Sequence, residues 1–271
     1  MPPTLPTFVI RLACAVSLGL LLAACAQNST QQTINPQDSR SAPESAEPDR
    51  RAALRLELAG MYFSRGQYDT ALDETRLALA ARPDLGAAYN LRGLIYSALG
   101  DDRQADENFQ RALALNPRDV DAIHNRAWFL CQRNRLDEAD RLFDQALAQP
   151  GYRDVPRTLM AQGVCLARAG KLPEAELKLQ RAYEVDTANP TVALNLSEVL
   201  YRRGAYERAR FYIRRVNIRE DLSNAQTLWL ALRIENRIGN RGGVEEFGRQ
   251  LRSRFPQSPE ALALERGRFD D

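Results

Sequence analysis

The sequence predicts an all-α solenoid of about six helical hairpins in a right-handed superhelix, preceded by a signal segment and a tether. Three observations predict it. A turn residue stands five positions before an alanine at Gly66 and Ala71, Gly100 and Ala105, Asn134 and Ala139, Gly170 and Ala175, and Gly204 and Ala209, and those alanines are spaced 34, 34, 36 and 34 residues apart. Small residues recur at two further points of each unit. Pro83, Pro117, Pro150 and Pro256 fall at or near the ends of units, where a helix cannot continue.

Each of these has a physical reason. Two helices of a hairpin approach closely only where their side chains are small. Ala59, Gly93, Ala127, Gly163 and Ser197 supply that crossing on the first helix, and the five alanines supply it on the second. Ala78, Ala112, Ala146 and Ala182 stand where a second helix meets the next unit. Tyr62, Tyr96, Leu130, Leu166 and Leu200 fill the space between from first helices, and Phe109, Phe143, Leu179 and Ile213 from second helices. The turn glycines suit a left-handed helix end. A repeating pair of helices with a 34-residue period is the signature of the tetratricopeptide repeat (TPR). The expected units are 52–85, 86–119, 120–155, 156–189, 190–224 and 225–258. The sixth departs most, with Leu232 and Leu251 at small-residue positions, as terminal repeats often do. Residues 259–271 are expected to form a short closing helix and tail that shield the last exposed face.

Ahead of the repeats, Arg11 is followed by thirteen uncharged residues, Leu12 to Ala24. That run falls short of the roughly 20 residues a membrane-spanning helix needs and reads as a secretory signal, residues 1–24. Its end, Leu22-Ala23-Ala24-Cys25, resembles the lipobox of bacterial lipoproteins, which implies cleavage before Cys25 and lipidation of that cysteine. Ala26 is not the aspartate that often retains lipoproteins in the inner membrane, so the resemblance implies the outer membrane, facing the periplasm. Residues 25–51 are mostly polar and carry too little apolar surface to fold, so they are expected to be a tether.

After cleavage and acylation two cysteines remain, Cys131 and Cys165, in the middle of adjacent first helices. An oxidising compartment makes a disulfide between them the expectation. Two buried apolar thiols are the alternative.

Composition excludes several classes. Net charge is +2, and 37 basic residues are interspersed with 35 acids, so no basic face marks a nucleic-acid partner. His124 is the one histidine, and no CxxC pair or phosphate-cradling loop occurs, so no enzyme activity, cofactor, metal or small-molecule substrate is expected. The carboxylates fall on helix faces among arginines and read as solvated ion pairs, and Gly242-Gly243 reads as a flexible connector.

By resemblance to TPR proteins, partner-facing side chains stand at positions two, five, nine, twelve and thirteen of each first helix. These positions hold Asn90, Leu94 and Ser97; Asp121, His124, Trp128, Cys131 and Gln132; Arg157, Met160, Val164 and Arg168; Leu194, Glu198, Tyr201 and Arg202; and Gln226, Trp229, Arg233 and Arg237. Aromatics and arginine are enriched in binding hot spots.

One segment is more specific. His124-Asn125-Arg126-Ala127-Trp128-Phe129-Leu130-Cys131 resembles the Asn-Asn-Tyr-Gly-Trp-Phe-Leu-Cys-type segment of the type IV pilus biogenesis and stability lipoproteins, the PilF/PilW family. Asn125, Trp128, Phe129, Leu130 and Cys131 match, while His124, Arg126 and Ala127 depart. The layout of lipobox, tether and six repeats is similar too, as are the run 200–209 and Pro190-Thr-Val-Ala-Leu-Asn-Leu. The resemblance implies a pilotin-like lipoprotein whose partner is the outer-membrane secretin of the pilus machinery. A TPR scaffold for another envelope machine, such as peptidoglycan hydrolases or outer-membrane protein assembly, is the alternative, and an enzyme or a passive spacer are the remaining classes.

Overall fold

The structure is a computed structural model and describes residues 46–269. The signal segment and Cys25 lie outside the described residues. The helices pair in order: α1 (Ala46–Ser64) with α2 (Tyr68–Ala81), α3 (Gly86–Leu99) with α4 (Asp102–Leu115), α5 (Val120–Gln132) with α6 (Leu136–Leu147), α7 (Val155–Arg168) with α8 (Leu172–Val185), α9 (Pro190–Arg202) with α10 (Tyr206–Asn217), and α11 (Ala225–Ile238) with α12 (Arg241–Arg254). A short α13 (Pro259–Glu265) packs against α11 and α12. No strand occurs among the described residues. From α3 to α11, successive first helices touch one another. The array is a TPR solenoid.

The small residues of the sequence are where the helices meet. Ala59, Ala127, Ser197 and the alanines 71, 105, 139, 175 and 209 are fully buried. A Cβ on Gly93 would lie 2.7 Å from the Phe109 ring, and one on Gly163 would lie 2.6 Å from Leu179 Cγ. These two crossings therefore exclude even alanine without a shift of the second helix. At the hairpin turns Gly100 and Gly239 adopt φ of 80°, and Asn134 holds the same left-handed region at φ 61°. Asparagine tolerates that conformation better than other non-glycine residues.

Three expectations need correction. Residues 46–51, assigned to the tether, form the first turns of α1. Glu47 and Asp49 suit the positive end of the helix dipole, Pro48 is tolerated in a first turn, and Ala52 is fully buried. Gly242-Gly243 is not a connector: it lies in the first turn of α12, and Gly243 is buried where a Cβ would meet the Glu235 side chain at 2.8 Å. The carboxylates are not all solvated. Glu235 is 1% exposed and accepts from Arg210 Nε at 3.0 Å, Arg214 Nη2 at 2.9 Å and Asn240 Nδ2 at 2.7 Å. Glu176, also buried, is paired with Arg203 and Arg208 of the next hairpin. Burying a carboxylate is unfavourable unless it is paired and hydrogen-bonded, so these arginines fix how one hairpin sits on the next.

Candidate partner-binding groove

The first helices α3, α5 and α7 enclose a cleft of about 590 Å³. Leu94 and Ser97 come from α3, Asn125, Trp128, Phe129 and Gln132 from α5, and Arg168 from the end of α7. The sequence placed Leu94, Trp128, Gln132 and Arg168 at partner-facing positions, and the cleft brings the four together. Phe129 forms part of its floor, 3% exposed, and packs against Phe109 at 5.6 Å between centroids. Arg133 lies over the Phe129 ring and donates to Asp102 Oδ1 at 2.6 Å. Asn90 is half-buried and accepts from Asn125 Nδ2 at 3.2 Å, so the two asparagines tie α3 to α5 beside the cleft. Arg168 and Arg202 are exposed, and neither forms a salt bridge among the described residues.

A second cleft, of about 300 Å³, lies further along the same face. Leu194, Asn195 and Glu198 of α9 face Gln226, Trp229, Leu230 and Arg233 of α11, with Glu260 of α13 at its edge. Glu198, Trp229 and Arg233 were expected to face a partner. Arg237 is exposed on the last turn of α11.

His124 and Tyr201 do not offer an open surface. His124 is 7% exposed, and its Nδ1 is 2.8 Å from Thr158 Oγ1, which Tyr152 Oη approaches at 2.6 Å. Thr158 belongs to the next first helix and Tyr152 to the loop before it, so the longer third unit covers position five. Burial, with the Arg157 guanidinium adding to it, pushes the His124 pKa down from 6.5 to about 4, leaving the ring neutral at pH 7. Arg157 is engaged with Asp121 and Asp154 at 3.2 and 3.0 Å. Tyr201 is 8% exposed because Arg233 lies over its ring, 4.6 Å from the centroid.

Cys131 and Cys165 are joined as a disulfide, with Cα atoms 5.8 Å apart. Both are buried at the seam between α5 and α7, in one core cluster with Phe129 and Phe109. Arg126, at the position where the pilus family carries tyrosine, donates to Asp106 Oδ1 at 3.0 Å and is used to hold α5 on α4. Sequence reasoning missed Asn125, Arg133, Glu260 and Phe269. Asn125 was signalled by its match in the family segment; Arg133 caps the end of α5, Glu260 lies on the closing helix α13 and Phe269 after it, positions that a per-helix rule for first helices does not reach. Among the described residues no group of three or more His, Cys, Asp or Glu is placed to hold a metal ion, and no helix is long and apolar enough to cross a membrane.

Hairpins of this size, small-residue crossings and clefts along the first-helix face together define a tetratricopeptide-repeat protein. Tetratricopeptide-repeat family profiles match residues 86–119, 108–141 and 125–193. Beyond that class, the chain is homologous to the type IV pilus assembly protein PilF of Pseudomonas aeruginosa, 24% identical over 257 residues covering 93% of this chain and 96% of that protein. Its fold is close to the crystal structure of PilW, described as a widely conserved type IV pilus biogenesis factor, with TM-score 0.74 and 29% identity over 79% of this chain and 98% of that one. It also superimposes on the solved Pseudomonas aeruginosa PilF with TM-score 0.70 and 24% identity over 82% of this chain and 99% of that one.

Proposed function

We propose that this chain is an outer-membrane lipoprotein that supports type IV pilus biogenesis by holding a segment of the secretin subunit in its first-helix groove. The observation that carries the reading is the larger cleft, which Trp128 and Arg168 line together with the apolar Leu94 and Phe129. That combination of aromatic and arginine is typical of residues that dominate binding energy. The likeness to PilF and PilW over nearly their whole length supplies the biological setting. Lipidation at Cys25 would confine the groove to the inner leaflet of the outer membrane. Confinement raises the effective concentration of the bound subunit where the ring must close. The role is that of a scaffold rather than an enzyme.

The test changes charge on the groove without touching the core. Arg168→Glu with Arg202→Glu alters two exposed groove positions, and exposed substitutions usually change stability by no more than about 0.5 kcal/mol. Arg181→Glu with Glu207→Arg, on the exposed faces of the second helices, is the control. The groove pair is expected to lose secretin multimers and twitching motility while the control keeps both. Equal behaviour of the two pairs at matched expression and circular dichroism would leave a passive spacer as the better reading.

A further inference from the structure

The last described residue of the chain packs on two side chains of the first-helix face. After α13 the backbone turns at Gly267, φ 63°, with Gly267 N–H bonded to Leu264 O at 3.1 Å and Arg268 N–H to Ala263 O at 3.0 Å. That turn returns Phe269 to the first-helix face. Its ring stacks on Trp229 with centroids 5.9 Å apart and planes at 19°, and its carbonyl accepts from Arg233 Nε at 2.9 Å. Trp229 and Arg233 both line the smaller cleft. An aromatic side chain and a main-chain carbonyl thus engage two residues that the repeat pattern assigns to partner recognition.

We infer that the Trp229–Arg233 surface at the edge of the smaller cleft is a binding site for an extended peptide segment carrying an aromatic residue beside a basic one, and that residues 266–269 are its resting occupant, displaced when such a segment binds. The chemistry of each half is on the molecule. Near-parallel stacking on an indole selects an aromatic ring over an aliphatic side chain. The Arg233 hydrogen bond is made to backbone, so it accepts any extended segment that presents a carbonyl there. Glu198 and Glu260, which line the adjoining cleft with Trp229 and Arg233, favour a cation on the bound segment. The occupant itself has this character, since Phe269 follows Arg268. An occupant tethered in place lowers the apparent affinity for a competitor, because only the fraction of molecules with the Trp229–Arg233 surface vacated can bind. The inference rests on reading the first-helix face as the partner-binding face but concerns the end of it remote from Trp128.

The experiment uses the full mature chain in a Trp128→Phe background, so that Trp229 is the remaining indole. The probe is the peptide Arg-Gly-Arg-Phe-Asp-Asp, residues 266–271, titrated against the chain with and without Phe269→Ala. Phe269→Ala is expected to shift Trp229 emission and to bind the peptide at least tenfold more tightly than the chain that retains Phe269. Replacing phenylalanine by alanine in the peptide, or Arg233→Gln in the protein, is expected to abolish that binding. Three results would each overturn the inference: no saturable binding to the Phe269→Ala chain, equal affinity with and without Phe269, or equal affinity for the peptide lacking its aromatic ring. Any of them, with the Arg168 and Arg202 variants still losing secretin multimers, would dismiss this site and leave the proposed function intact.

Discussion

Two junctions between hairpins hold this solenoid together by opposite means. Between the third and fourth hairpins the buried contact is covalent and uncharged, and the ion pairs of Arg157, Lys171 and Lys178 with Asp121, Asp137 and Asp144 lie at its exposed edges. The Cys131–Cys165 bridge joins α5 to α7, and a neutral His124 meets Thr158 and Tyr152 in a buried hydrogen-bonded cluster. Between the fifth and sixth hairpins the contact is ionic. Glu235 of α11 is buried under Arg210 and Arg214 of α10, with Asn240 taking its second oxygen. The larger cleft is lined in part by α5 and α7, the helices that the bridge joins, and the smaller one in part by α11, which carries Glu235. A bridge fixes the spacing of two helices whatever the salt or pH. A buried carboxylate fixes it only while its cations are present. The difference teaches that the two ends of one groove rest on foundations that fail under different conditions. In a repeat array, where each unit contacts its neighbours alone, each failure should stay local.

The largest expected effect breaks the ionic junction. Replacing Arg210 and Arg214 together by methionine keeps most of the packing but leaves Glu235 without its cations. Stranding a buried charge in this way costs about 3–5 kcal/mol. Hydrogen exchange should quicken in α11, α12 and α13 while α5 and α7 keep their protection. Uniform loss across the chain would show that the junctions are not independent. Glu235→Gln, which removes the charge and keeps the shape, should cost much less than the double arginine change.

The next effect breaks the covalent junction. The bridge closes a sequence separation of 34 residues, for which the loss of unfolded-chain entropy corresponds to about 3–4 kcal/mol. Cys131→Ala with Cys165→Ala should lower stability by up to that amount, with faster exchange in α5 through α8 and little change beyond α10. Two titratable thiols in the denatured, unreduced mature protein would remove the premise.

How far the sequence reaches differs between these junctions for physical reasons. The hairpin period was legible because crossing helices tolerate small residues alone, and Ala105, Gly163 and Ala175 advertise that requirement at fixed spacing. The pairing of Cys131 with Cys165 could be anticipated because equivalent positions of adjacent first helices are neighbours. The ionic junction could not. Glu235 and its arginines lie 25 and 21 residues apart, and nothing in a helix full of charges marks which carboxylate is buried. The same limit explains the groove. A position rule found Leu94, Trp128 and Arg168, which face the larger cleft from their own helices. It could not foresee that Thr158 would close over His124, that Arg233 would lie across Tyr201, or that Phe269 would return to Trp229, since each cover comes from a different part of the chain.

The smallest effect separates the junctions by pH. His124 has a folded pKa near 4 against 6.5 for the free side chain, lowered first by burial and then by the Arg157 charge, with Asp121 opposing. Between those values the unfolded chain binds a proton that the folded chain refuses, so folding loses stability as pH falls from 6.5 and the loss levels off below about 4. At pH 5 the shortfall is about 2 kcal/mol, from the 1.36 kcal/mol carried by each pKa unit. Asp106 and Asp144 act lower on the scale: their pKa values lie below 3.8 through partners Arg135 and Gln162, so the stability they give is present above that range and is lost as pH falls through their folded values. A pH series of denaturant midpoints for the wild type and His124→Gln should therefore diverge between pH 6.5 and 4 and run parallel elsewhere. Exchange in α5 and α7 should follow the wild-type curve while α10 and α11 do not, because the one histidine of the chain lies at the covalent junction. If the variant falls with pH as steeply as the wild type, the neutral histidine is not what distinguishes the covalent junction.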